Sequence, residues 1–407
     1  MIKKFERKSI SKRDIALLDE GINVRELLGI LENKKLPNLL CKLLNTESIL
    51  DDFIKIKGAK TLVDTQKKLN QKFHKEDLES RISDVSLYND KAFSINFNNT
   101  KDNAYFQSFN LNQISTIPIY SAQREFFSEL FQMDRYAARL IKGGHRSILL
   151  ENLKMLQKVH KAPKKYRILH DKDDNLFYLR GIISMQNYNN YDNNLTIVIA
   201  LITLHKEMKK LNVEYSLRLC EYNESFIRMF FESTENKQLA SIGIVKSIVE
   251  VSNDEIRREA LRFSGVCLIE FSHNGESNNE LYIRPKEIKS KILSIGHNRT
   301  PITAINELAQ IDNASSVHSN IFNDILKIKD IDEPETIKFL VKSKVEALRN
   351  DEIKRVQKQM LKELSNTASN IIQLLTIFSK IELLSEKDIE ASEYVRFIIY
   401  QALIERK

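Results

Sequence analysis

The spacing of apolar residues changes along the chain, and the changes divide it into three regions. From Lys12 to about Leu78, apolar residues recur every three or four positions (Ile15, Leu18, Ile22; Leu39, Leu43, Ile49, Phe53), with breaks at Gly21, Pro37 and Gly58. That spacing predicts a helical N-terminal region over residues 1–82. Between Ser83 and Ile119 the period becomes two. Phe93, Ile95 and Phe97 alternate with polar residues, and the polar run Asn98 to Asn103 precedes Tyr105, Phe106 and Phe109, which is the pattern of a hairpin.

Helical spacing then returns. Ser121 is placed to cap a helix with the apolar face Phe126, Phe127 and Leu130, stopping near Met133. Asp134 is placed to cap a second, ending at Gly143 and Gly144, and Ser147 to Val159 supplies a third. Strands are predicted at Tyr166 to His170 and Leu176 to Ser184, across the acidic turn at Asp171, Asp173 and Asp174. Asp192 is a good N-cap for a helix from Leu195 to Leu211. Further strands are expected at Val213 to Glu221, Phe226 to Glu232, Ile242 to Val251, Leu261 to Phe271 and Leu281 to Arg284.

Beyond Pro285 only helical periodicity is legible: Pro301 to Leu326, Pro334 to Leu364, and Lys387 to Arg406 with the apolar stripe Ile389, Tyr394, Phe397, Ile398 and Leu403. Pro301 and Pro334 stand where first-turn prolines belong. The expected fold is therefore α+β: a central mixed or antiparallel sheet domain over residues 83–284, flanked by a helical N-terminal region (1–82) and a helical C-terminal region (285–407).

Charge sharpens this outline at one place. Arg135 to Arg167 holds ten Lys/Arg and one acid, Glu151, a net +9 against +8 for all 407 residues. The remainder is close to neutral. Because the cations are interleaved with apolar residues at helical spacing, they point to a basic face on folded structure rather than a disordered tail. Cys41, Cys220 and Cys267 lie far apart, without the spacing of a zinc site or a disulfide framework, which fits a reducing, cytoplasmic setting. The basic N-terminus lacks the apolar core of a signal peptide, and no stretch has the 18 apolar residues of a membrane span.

Chemistry-bearing motifs are sparse. GxxxxGKS/T, GxGxxG after a strand, HExxH and GxSxG are missing, so no catalytic residue, cofactor or metal ligand is assigned and an enzyme is not the favoured reading. The carboxylates that a metal-dependent nuclease would need have simpler roles: Asp332, Glu333 and Glu335 at a helix start, Asp171, Asp173 and Asp174 in a turn. Glu270 and His273 stand near a strand end, before an Asn274-Gly275 turn.

The segments Leu179-Arg180-Gly181-Ile182-Ile183-Ser184 and Tyr191-Asp192-Asn193, the latter opening an apolar helix, lie downstream of the basic helices. In these residues the central region resembles phage/plasmid-like proteins of mobile elements. The resemblance implies an origin on a phage, prophage or plasmid; such proteins have no settled activity, so it assigns no site residue.

The expected function is non-enzymatic binding of nucleic acid, DNA first, coating or annealing strands through a basic face made by Arg135, Arg139, Lys142, Arg146, Lys154, Lys158, Lys161, Lys164, Lys165, Arg167 and Arg180. Tyr136, Tyr166 and Tyr178 are near enough in sequence to offer stacking surfaces. Two other classes stay open: a metal-dependent nuclease, and a structural protein assembling through its C-terminal helices. Self-association is expected at sheet edges, since no proline blocks them between Gly181 and Leu281.

Overall fold

The computed structural model describes residues 5–32, 34–88, 94–159, 162–185, 188–256, 259–272, 279–348, 351–385 and 389–407. Phe93, His160, Lys161, His273, Asn274, Gly275 and Lys387 lie outside the described residues. The chain begins with β1 (Lys8–Ser11), β2 (Ile22–Asn23), α1 (Val24–Leu28), α2 (Lys35–Leu43), β3 (Phe53–Ile54), α3 (Ala59–Lys72) and β4 (Phe73–Arg81). Then follow β5 (Val85–Tyr88), β6 (Ser94–Phe97), α4 (Ala104–Ser108), β7 (Ile114–Pro118), α5 (Ala122–Phe131), α6 (Asp134–Lys142), α7 (Arg146–Val159), β8 (Pro163–Asp171) and β9 (Leu176–Ile183).

These strands build a mixed sheet, ordered β4-β8-β9-β7-β6-β5, in which β7 runs parallel to β9 and the other pairs are antiparallel. It is called the β8 sheet below. One of its faces packs against α5, α6 and α7 through Phe126, Phe127, Leu130, Ala137, Leu149 and Leu153. The expected hairpin is differently made. β6 pairs with β5 and β7, whereas Tyr105 and Phe106 lie in α4, because the Asn103 carboxamide accepts from both of their backbone N–H groups and starts a helical turn there.

A long helix, α8 (Asn193–Leu211), is followed by β10 (Tyr215–Tyr222), β11 (Phe226–Leu239), β12 (Gly243–Asp254), β13 (Leu261–Phe271) and β14 (Asn279–Ile283). With β1 at one edge they form an antiparallel sheet in chain order, the β12 sheet. As the spacing predicted, Asp192 caps α8, accepting from the Leu195 N–H at 2.8 Å. The helix is buried along most of its length, since the β12 sheet and α3 cover it from different sides.

The C-terminal part holds α9 (Glu287–Ser290), β15 (Lys291–Ile295), α10 (Pro301–Leu308), α11 (Ala314–Ile325), α12 (Pro334–Glu346), α13 (Asp351–Glu363), α14 (Ile371–Ser385) and α15 (Ile389–Tyr400). Pro301 and Pro334 both sit in first turns. Gly265 on β13 lets α11 approach closely: a Cβ there would lie 2.7 Å from Val317, and the His318 imidazole reaches the Ile248 carbonyl at 2.8 Å. Of the closing apolar stripe, Ile398 and Leu403 are buried and Tyr394 and Phe397 half-buried, and the helix packs with Val395, Ile399 and Tyr400 against β14, α12 and α14.

The protein is thus an α+β fold with helices toward both ends. Five strands depart from the expected pattern. β1, β2, β3 and β4 lie in the region expected to be helical, and β15 pairs with β13 where only helices were expected. Among the described residues, no helix is long and apolar enough to cross a membrane.

Candidate nucleic-acid interface

Helix α6 opens with Asp134 in its first turn, where a carboxylate opposes the positive end of the helix dipole, although Met133 occupies the cap position. It closes at Gly143, and Gly144 takes the left-handed backbone (φ +78°) that redirects the chain into α7. Arg135, Arg139 and Lys142 follow one another at four and three residues, so they share one face of α6, and all three are exposed while Ala137 is buried. On α7, Leu149 and Leu153 enter the core and leave Lys154 and Lys158 in solvent. The outer faces of the two helices meet where the Asn152 amide donates to the Tyr136 hydroxyl at 3.1 Å.

Both sets of cations are exposed, on two helices that touch each other. Among the described residues, no carboxylate lies within ion-pair distance of Arg135, Arg139, Lys142, Lys154, Lys158 or the half-buried Lys164. Arg146 is half-buried and already engaged, and Lys165 shares Glu79 at 3.5 Å.

Arg167 and Arg180 do not belong to this surface. Side chains alternate along β8, so Tyr166, Ile168 and His170 share the face that meets the helices, while Arg167 points to the opposite side. Arg167 is buried between the sheets, donating to Asp77 (3.2 Å), to the Tyr188 hydroxyl (3.0 Å) and to the Glu255 carbonyl. Arg180, at 0% exposure, donates to Glu255 Oε2 and Ser225 Oγ, both at 2.9 Å. A guanidinium with a buried carboxylate partner is not free for a phosphate. Tyr166 and Tyr178 are likewise buried, which leaves Tyr136, at 45% exposure, as the aromatic of this surface.

At the junction of the sheets, Glu255 gathers several donors: Lys75 at 2.5 Å, Arg180, and the Asn193 backbone N–H at 2.9 Å. Burial alone would raise its pKa, but Lys75, Arg180 and Arg167 hold it down to about 2. Burial and the neighbouring Glu255 charge push Asp192 up to about 6. The Arg180 side chain and the Asn193 backbone N–H thus share one carboxylate.

No family model, curated protein or solved structure matches the chain.

The acids weighed as metal ligands have other partners. Glu270 is paired with Lys246 (2.8 Å) and Arg218 (3.5 Å), Asp173 with Lys72 (2.7 Å), and Glu335 with Lys338 and the Ala368 N–H. Among the described residues, no group of three or more His, Cys, Asp or Glu is arranged to hold a metal ion.

A second constellation has no signal in the sequence, because the spacing up to Leu78 predicts helix where β4 runs. His74 and His170 are register partners on β4 and β8, and the ring of Tyr105 stacks on His74 with centroids 3.7 Å apart. The Tyr105 hydroxyl lies 2.7 Å from His170 Nδ1, and His170 Nε2 lies 3.0 Å from Asn175 Oδ1. The Asn175 carbonyl oxygen can only accept, so the imidazole carries its proton on Nε2 and Tyr105 donates to Nδ1. Burial pushes the His170 pKa down, keeping the ring neutral near pH 7, and burial with the nearby Glu76 carboxylate pushes Tyr105 up to about 12. Phe177 stacks on His170 at 4.4 Å, and Phe109 meets Tyr105 and His170 edge-on at 5.2 and 5.8 Å.

Proposed function

We propose that this chain is a cytoplasmic nucleic-acid-binding protein of phage or plasmid origin that coats or anneals DNA strands without catalysing a reaction on them. The observation carrying this reading is the surface of α6 and α7, where Arg135, Arg139, Lys142, Lys154 and Lys158 are exposed on two adjoining helices with no carboxylate in range among the described residues. Unneutralised cations at that density attract a polyanion and release its condensed counterions, which favours binding without a sequence preference. Side-by-side binding of copies along a strand belongs to the same reading and would appear in sedimentation as assemblies that form only with DNA.

The test is affinity as a function of salt for unrelated DNA sequences. Five phosphate contacts give a slope of roughly −3.5 on a single strand, at about −0.7 per contact. Changing the five cations together to Ala is expected to weaken binding equally for all sequences and to flatten that slope. Unchanged affinity at low salt in this variant would remove the proposal.

A further inference from the structure

We infer that the ring cluster around Tyr105 is a stacking subsite for an unpaired base, and that the strand lying on α6 and α7 is therefore single. The inference rests on the nucleic-acid reading above and adds the class of strand. Alternation along β8 and β4 places Tyr166, Ile168 and His170, with their register partners Leu78, Glu76 and His74, on one face of the β8 sheet. Helices α5 to α7 cover the Tyr166 end of that face, and α4 with the rings crowns the His170 end. The basic surface and the rings thus stand on the same side of the sheet, and β8 spans about 20 Å between Lys164 and His170 at about 3.3 Å per residue.

The cluster has the form of a prepared platform. His74 and Tyr105 are stacked at 15°, and the hydrogen bonds from His170 to Asn175 and from Tyr105 to His170 fix their orientations. Phe109, at the end of α4, is 51% exposed although Phe106 of the same helix is fully buried. A phenyl ring left half in water beside oriented rings offers an apolar surface to a base, and immobilised rings lose little freedom when a base stacks on them. Every base has such a face, so the subsite needs no sequence preference. In a duplex those faces are already stacked on their neighbours, so the subsite selects single strands.

The chain contains no tryptophan, which makes the experiment direct. In full-length Phe109→Trp protein the introduced indole is the sole tryptophan, and its emission should be quenched by oligothymidylate but not by an abasic strand of the same length. In parallel, Phe109→Ala should bind oligothymidylate about tenfold more weakly than the unaltered protein, a loss within the range for one stacked base. Its salt slope and its duplex affinity should not change. Absence of quenching, or equal affinity of Phe109→Ala and the unaltered protein for oligothymidylate, would overturn the platform while leaving the basic surface standing. If the unaltered protein binds no nucleic acid at all, the functional reading fails and the platform with it.

Discussion

Cations of the β12 sheet and cations of α6 and α7 are the same residue types in opposite surroundings. Arg228, 1% exposed, stands among Glu250 (3.2 Å), Glu259 (3.4 Å), Glu221 (4.0 Å) and Glu393. Arg284 shares Glu250 and Glu393, Arg218 meets Glu232, Glu270 and Glu280, and Arg396 meets Glu382 at 2.5 Å. There the charges cancel in place, and each guanidinium holds strands or helices together. Arg135, Arg139, Lys142, Lys154 and Lys158 lack such partners among the described residues, so their charge extends into solvent. A basic residue becomes a binding residue by what stands next to it, and a sequence count cannot show that.

The contrast breaks most visibly if a buried cation is removed. Arg228→Ala removes a partner from four buried or half-buried carboxylates, and it should cost about 3–5 kcal/mol, measured as a shift in urea unfolding. A loss below 1 kcal/mol would mean that the network contributes little and that the two groups of cations are alike.

A second prediction compares carboxylates. Glu207 on α8 is buried beside the Tyr215 hydroxyl (3.2 Å), and burial pushes it up to about 7, whereas the cations around Glu255 hold that residue near 2. The signs are opposite. With a folded pKa above its unfolded value of 4.5, Glu207 contributes stability that is fully present below pH 4.5 and is lost as pH rises through 7. Glu255 contributes stability that is present above pH 4.5 and is lost as pH falls toward 2. Glu207→Gln should therefore leave the acid limb of the stability curve in place and remove a decline of roughly 3 kcal/mol between pH 5 and 8. Persistence of that decline in the variant would assign it to another group.

The smallest effects belong to the exposed surface. Single alanines at Arg135, Arg139 or Lys142 should change unfolding free energy by no more than about 0.5 kcal/mol. Lys154→Ala or Lys158→Ala should stabilise by a few tenths of a kcal/mol, since these like charges stand four residues apart on α7. A larger destabilisation at any of these positions would show that the side chain is structural.

Local pattern determined a good deal of this protein. Leu261 to Phe271 forms β13 with the expected bounds because both faces of a central strand are buried and apolar residues crowd it, unbroken from Val266 to Ile269. The Asp192 cap, the apolar run of α8 and the first-turn prolines were legible because each acts within one helical turn of itself. The spacing of Arg135, Arg139 and Lys142 could likewise be turned into a shared helix face without the fold.

Tertiary structure decided the rest. Ser121 is an example at short range: its hydroxyl bonds the Glu125 carboxylate at 2.5 Å and does not cap the helix backbone. β4 carries charged residues on both faces, His74 and Glu76 on one and Lys75 and Asp77 on the other, so it has no apolar period to read. It is a strand because β8 pairs with it and because each face meets polar partners far along the chain. The same holds for Arg167 and Arg180. In sequence a guanidinium signals water, and what buries these two is Glu255, 88 and 75 positions away, which only the packing of the β8 sheet against the β12 sheet brings within reach. Periodicity is a property of neighbours in the chain, whereas the environment of a charge is set by neighbours in space.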